Sequence, residues 1–321
     1  IMMGCLIPFA LTQTYSGTLR ETGETIVPMK AGIVAFFANL LLDYSLIFGK
    51  FGFPELGVRG AAIATVIARI AEVAVVMAWA HSHTAEKPFI RGVYRSFHVP
   101  MDLVKEVIKK GTPLLLNETL WAGGMAMLVR CYSSRGLVVV AGINIATTLS
   151  NMFSIVYIAM GSAIGIILGQ LLGAGKMEEA VDTDRKLIFF SVASCLGVAI
   201  LMIIVSPFFP QIYNTSDDVK YIAAWIIRVL AVCMPLNAFM NSTYFTLRSG
   251  GKTIVTFLFD SFYIWVVDIP AAILLINYTD WNVILVYFLV QMMEIVKCII
   301  GYVLVKKGVW LNNMTIKAAN S

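Results

Sequence analysis

Nine runs of roughly 20 or more predominantly apolar residues, each long enough to cross a lipid bilayer, occupy positions 1–19, 26–48, 57–80, 112–133, 141–171, 186–213, 220–247, 253–277 and 282–305. Hydrocarbon offers no hydrogen bonds to a peptide group, so only helices and closed barrels can span it. Barrel strands are about 9–11 residues long and alternate between lumen and lipid. These runs are much longer and do not alternate, so the chain reads as an all-α polytopic membrane protein. Composition agrees: 59% of residues are hydrophobic and 13% charged, against about 25% charged in a soluble domain. The formal net charge of +5 therefore concerns orientation in the bilayer, and no nucleic-acid partner is expected.

The runs are organised by a duplication. TLRETGETIV at Thr18 to Val27 returns as TLRSGGKTIV at Thr246 to Val255, 228 positions later, with seven of ten positions identical. Each copy joins the end of one span to the start of the next and places a Gly (Gly23, Gly251) where a tight reversal needs positive φ. Pro8 and Pro235 precede the two copies at nearly equal distances, and Arg69 and Lys297 each stand 49 positions after the repeated Arg. Solenoid repeats have periods of about 20–50 residues; a period this long means two copies of a whole bundle.

Basic residues orient the spans. Sixteen Lys and Arg, among them Arg20, Lys87, Arg95, Lys176, Arg248 and Lys317, fall on one side and five (Lys50, Arg59, Arg130, Arg135, Lys220) on the other. The repeated motif and the C-terminus are expected in the cytoplasm. Four spans run up to and include the one entering the second copy of the motif, but only one enters the first. The expectation is an N-terminally truncated chain in which nine helices of a six-plus-six arrangement are present.

Polar residues at membrane depth are the candidates for function, because a charge at the centre of a span costs about 2.5–3.5 kcal/mol on insertion scales. The second span carries Asn39 and Asp43 at i and i+4, on one helical face, and the third offers the hydroxyl of Thr65. Glu118 lies well inside the span that opens the second bundle. Further on come Asn237 and Asn241 at i and i+4, then Asp260 and Asp268 ahead of Pro270. Arg69/Glu72 and Glu294/Lys297, each at i and i+3, read as pairs that let their helices insert at lower cost. Arg228 stands isolated among apolar residues. Gly161, Gly165, Gly169 and Gly173 recur every four residues and clear one helix face for close packing.

The polar, basic stretch 82–110 divides residues 1–81, the last three helices of one lobe, from residues 111–321, six helices of the other. It follows His81 directly and contains His83 and His98; without a carboxylate or Cys at ligand spacing these read as linker residues, not a metal site. Residues 101–110, with Lys105, Lys109 and Lys110, read as an amphipathic piece at the headgroups. Cys5, Cys131, Cys195, Cys233 and Cys298 fall one per span without a CxxC pair, so neither a disulfide framework nor a metal centre is expected.

The passages IVPMKAGIVAFFANLLLDYSLIFG and GVRGAAIATVIAR, the run GQLLGAGKMEEA and the duplicated TLR..G.TIV together resemble the multidrug and toxic compound extrusion (MATE) family. The resemblance implies two pseudo-symmetric six-helix lobes that alternate access to a central cavity, with helices four to twelve present here. It implies efflux of a drug-like or cationic organic small molecule across the cell membrane in exchange for protons or sodium ions, without a cofactor, by a monomeric multi-pass protein. Carried over residue by residue, the cation site of the first lobe is similar to Asn39, Asp43 and Thr65 together with an Asp on an upstream helix. Glu118, Asn237, Asn241, Asp260 and Asp268 become candidates to line the substrate cavity. A lipid-linked oligosaccharide flippase of the same superfamily is the alternative, but an anionic lipid carrier calls for a cavity rich in Arg and Lys, and only Lys30, Arg69, Arg228 and Lys297 could contribute. An intramembrane enzyme ranks lowest, since no HExxH, GxSxG or intramembrane His occurs.

If the halves are true repeats, the genomic reading frame continues upstream through three more apolar spans of roughly 20 residues each, one holding a mid-membrane Asp. Sequencing the locus checks this. An initiator Met immediately before Ile1 would contradict it.

Overall fold

A computed structural model describes residues 1–84, 90–92 and 99–312. Lys87, Arg95, His98 and Lys317, and with them part of the 82–110 linker, lie outside the described residues. Contacts divide the chain into two compact units, Ile1–Val99 and Pro100–Ser321.

In the first unit a short 3₁₀ turn, Met2–Cys5, leads into α1 (Leu6–Glu21), followed by α2 (Ile26–Phe48) and α3 (Val58–Ser82). The second unit contains α4 (Met101–Ser133), α5 (Leu137–Gly173), α6 (Met177–Val205), α7 (Asp217–Ser249), a composite α8 (residues 253–278) and α9 (Val283–Lys306). No strand occurs among the described residues. Seven of these helices are long and apolar enough to cross a membrane. The two others are α1, which has 16 residues, and α4, whose first three turns include Asp102, Lys105, Glu106 and Lys109. The amphipathic piece expected at 101–110 is not separate. It continues through Pro113 into the following span as one 33-residue helix.

Many large apolar side chains are exposed, including Phe36, Phe37 and Leu41 on α2 and Phe189, Phe190 and Ile204 on α6. This is the pattern of lipid-facing helices, for which burial against another helix brings no hydrophobic gain over burial in lipid tails. Close approach and polar contacts must hold the helices instead. In the first unit a Cβ at Gly60 would lie 2.5 Å from the Leu46 carbonyl oxygen, so α2 and α3 meet backbone to backbone, and the Leu56 N–H donates to that same oxygen at 2.9 Å. In the second unit α7 is central. Its Ile226, Ile227, Leu230, Cys233 and Met234 form one core with Ile143, Ala146 and Leu149 of α5, Met202 of α6 and Val286 of α9. The glycine face of α5 is used in part: a Cβ at Gly161 would strike Asn241, and one at Gly165 would press on Phe245, whereas one at Gly173 would meet nothing.

The duplicated motif is one local structure built twice. In the first copy the Glu24 N–H donates to the Leu19 carbonyl at 2.8 Å and the Gly23 N–H to the Arg20 carbonyl at 3.1 Å. In the second the Lys252 N–H donates to the Leu247 carbonyl at 3.4 Å and the Gly251 N–H to the Arg248 carbonyl at 2.9 Å. This is the Schellman closure, which satisfies the last carbonyls of a helix and needs positive φ at its glycine; Gly23 has φ +91° and Gly251 +73°. The preceding Leu19 and Leu247 are both buried.

The copies differ one residue earlier, where the first has Thr22 and the second Gly250. A Cβ at Gly250 would lie 2.0 Å from the Trp310 carbonyl oxygen, and Trp310 is buried among Leu168, Leu172 and Leu247. Gly250→Ala should therefore destabilise the protein by about 1–3 kcal/mol, the usual cost of overpacking. Thr22→Ala, at an exposed position, should stay within about 0.5 kcal/mol. Unfolding midpoints in detergent measure both.

Candidate functional site

Helix α2 carries Asn39 and Asp43 one turn apart. Asn39 Nδ2 and Asp43 Oδ1 are both buried, and neither has a hydrogen-bond partner in the structure. About nine in ten buried polar groups are paired, so two orphaned atoms a turn apart on a membrane helix mark a place prepared for something else. Thr65 belongs to the same level of the unit. With α2 and α3 antiparallel and touching at Leu46 and Gly60, five residues of helix at about 1.5 Å each bring Thr65 opposite residue 41, between Asn39 and Asp43. Its hydroxyl donates to the Ala61 carbonyl at 2.9 Å, leaving its oxygen lone pairs to accept. The Asp43 carboxylate, the Asn39 amide oxygen and the Thr65 hydroxyl form an all-oxygen set suited to a hard cation or a shared proton, while the unpartnered Asn39 Nδ2 is a donor and would serve an acceptor, not a cation. On α3, Arg69 Nη1 lies 2.6 Å from Glu72 Oε2 and its guanidinium sits over the Phe9 ring at 5.6 Å, so this cation is committed.

The second unit holds a different polar group, brought together from three helices. Helix α8 begins with the turn Thr253–Phe257, opens into two successive π-helical turns, Leu258–Phe262 and Ile264–Asp268, and returns to α-helix at Ile269–Tyr278. Pro270 explains part of this: it has no N–H for the carbonyl of residue 266, and its ring crowds that carbonyl, so the preceding turn widens. Asp260 lies in one wide turn and Asp268 in the other. Lys297 Nζ of α9 lies 3.2 Å from Glu294 Oε2 and 3.7 Å from Asp260 Oδ1, and 5.4 Å from the centre of the Tyr263 ring. Asp268 is within electrostatic reach of Lys297, Glu294 and Asp260. Glu294 and Lys297 thus form more than the intrahelical pair their spacing suggests, because Lys297 also ties α9 to α8.

Asn117 of α4 completes the group and is not conspicuous in the sequence. It is 1% exposed. Its Nδ2 donates to Asp260 Oδ2 at 3.2 Å, and its Oδ1 accepts from the Ser261 hydroxyl at 2.7 Å. Its neighbour Glu118 is the charged residue that draws attention, yet Glu118 is exposed, because successive residues on a helix point about 100° apart. The position of Asn117 three residues before the LWAGG stretch carried no signal of its own. Asn241 fits the space left at Gly161 of α5, with its Oδ1 buried and unpartnered, and Asn237 is half-buried one turn earlier on α7.

The remaining polar groups are structural. Thr246, from the repeated motif, donates to Asp184 Oδ1 at 2.7 Å with both residues buried. Arg228 is not isolated: its guanidinium stacks on Trp225 at 4.6 Å and its Nε donates to the Ser206 hydroxyl at 3.1 Å. His81 Nε2 lies 3.1 Å from the Tyr15 hydroxyl, and His83 stacks on Trp79 with ring centres 4.3 Å apart.

The chain is similar to the "Probable multidrug resistance protein NorM" of Thermotoga maritima, with 25% identity over 84% of this chain and 57% of that protein. It is also similar to the "Probable multidrug resistance protein YoeA" of Bacillus subtilis, with 25% identity over 84% of this chain and 58% of the other. The chain thus spans well under two thirds of the curated relatives it matches. In fold it is similar to the Vibrio cholerae MATE transporter VcmN in its bent form, with a TM-score of 0.81, 17% identity, and 96% of this chain and 67% of that one covered. The sequence model of the MatE family matches residues 113–274, just over half of the chain, and this all-α membrane protein belongs to the MatE family.

Proposed function

We propose that this chain is part of a secondary active efflux transporter of the cell membrane, which exports drug-like or cationic organic molecules in exchange for protons or sodium ions by alternating access. The observation that carries the reading is the buried, unpartnered carboxylate oxygen Asp43 Oδ1, one turn from Asn39, on a lipid-embedded helix of a MatE family member. A buried carboxylate oxygen without a donor is a seat for a cation or a shared proton. Its occupancy therefore reports the ion outside, and an ion that binds one conformation better than the other biases the equilibrium by its differential affinity, typically about 1–3 kcal/mol. The substrate is expected in a cavity to which Glu118, Asn237, Asn241, Asp260 and Asp268 contribute. The protein acts as a monomer with its C-terminus in the cytoplasm.

The committed state of the cations weighs against a flippase for anionic lipid carriers. Arg69 is paired with Glu72, Lys297 with Glu294 and Asp260, and Arg228 is held by Trp225 and Ser206. That leaves Lys30, which is exposed.

In the full-length protein Asp43→Asn should keep expression and membrane insertion and lose ion-driven efflux of a fluorescent organic cation. The assay is run separately under a pH step and a sodium gradient, and the gradient that drives the wild type identifies the coupling ion. Wild-type efflux by the variant under both gradients would overturn the assignment.

A further inference from the structure

The buried group of the second unit is out of electrical balance. Glu294 and Asp260 hold Lys297 at 3.2 and 3.7 Å, and the buried Asp268 lies within electrostatic reach of all three, so this group has three carboxylates and one ammonium within membrane-spanning helices. An uncompensated charge at this depth carries a large desolvation cost, and the three acids differ in how they meet it. Asp260 keeps 24% of its side chain exposed, has Lys297 at 3.7 Å and accepts the Asn117 amide. Glu294 has the ammonium at 3.2 Å. Asp268 is 3% exposed and its Oδ1 is buried with no partner at all. The groups facing it are Glu294 and Lys297 of α9, Asp260 and the Tyr263 phenol of α8, and the Tyr132 phenol of α4. The Tyr263 hydroxyl already donates to the Met293 carbonyl at 2.7 Å.

We propose that Asp268 is a proton-binding site of the second unit, separate from Asn39 and Asp43, and that its proton controls which carboxylates Lys297 pairs with. A proton suits the site better than a metal cation. Lys297 already sits against Glu294 and Asp260, so of the group's two buried carboxylate oxygens without a hydrogen bond, Glu294 Oε2 has the ammonium and Asp268 Oδ1 has no ion pair among the described residues; a hard metal ion needs about six oxygen ligands, whereas a single carboxylate oxygen takes one proton. With Asp268 neutral, Lys297 serves Glu294 and Asp260 as observed. When the proton leaves Asp268 Oδ1, Lys297 is the cation among the groups that face the new negative charge, so the ammonium is drawn from Glu294 and Asp260 toward Asp268. Asp260 lies within the first π-helical turn and Asp268 ends the second, and such turns are a form of α-helix defect often found at functional sites; they give α8 the slack to follow. Asp260, the most exposed acid of the group, provides the way in and out for the proton.

Infrared difference spectroscopy on the full-length protein in liposomes, with carboxyl-labelled aspartate, tests this through a pH step. The wild type should show the isotope-shifted carbonyl band of a protonated, buried aspartic acid at neutral pH, and the band should be lost in Asp268→Asn and retained in Asp260→Asn. Asp43→Asn should also retain it, so the result stands whichever way the efflux assay on Asp43 falls. A band absent from the wild type, retained in Asp268→Asn, or lost in Asp260→Asn instead would overturn the proposal. So would failure of Asp268→Asn to fold, since the amide copies the shape and neutrality of the protonated acid.

Discussion

A leucine removed from lipid to face another helix gains almost nothing, because both surroundings are equally apolar, and this shapes every helix contact in the molecule. Where two helices meet closely, a glycine has made room: Gly60 under Leu46, Gly142 under Ile222, Gly161 under Asn241. Where they meet through polar groups, the groups are buried and paired, as in Thr246 with Asp184 or Asn117 with Ser261. The large side chains of α2 and α6 are turned out to lipid. Specific packing therefore rests on small residues and a few hydrogen bonds, while most of the apolar surface serves only to keep the chain in the bilayer.

The same scarcity of hydrogen-bond partners explains the duplicated turn. A helix that ends near the membrane surface leaves carbonyls without donors, and the TLR..G.TIV sequence closes them by the same two backbone bonds in both copies. The GAGK turn after α5 does so as well, with the Lys176 N–H donating to the Leu171 carbonyl at 3.0 Å and Gly175 at φ +75°. The identical positions include the Leu, Arg and Gly that make the closure. The variation, Thr22 against Gly250, follows what packs beside it: only Gly250 has the Trp310 backbone against it.

Buried polar atoms fall into two kinds. Some are satisfied and hold helices together, and these include the Asn117 amide and the Asp184 carboxylate oxygen that accepts from Thr246. Others, Asp43 Oδ1 and Asp268 Oδ1 among them, are buried and unmatched. An unmatched carboxylate oxygen in a lipid-embedded helix works against stability unless something binds it. One lies on a helix without an adjacent fixed cation of its own, the other beside Lys297, so a change of charge at the second has a built-in partner to move.

The long apolar runs, their ends and the repeated motif were legible without coordinates, since span length is set by bilayer thickness and helix ends by glycine and charge, all of them local properties. The α2 residues Asn39 and Asp43 were legible for the same reason: polar residues one turn apart stand out against an apolar helix. The ring around Lys297 was not legible. Its members lie on α4, α8 and α9, up to 180 positions apart, and their meeting depends on the rotation of α8, which two π-helical turns reset in a way no α-helical periodicity predicts. Asn117 was hidden behind Glu118 because which of two adjacent residues faces inward is decided by the helix packed against them. Charge and hydropathy declare which residues are costly in a membrane, but only the packing of helices decides which of them share that cost.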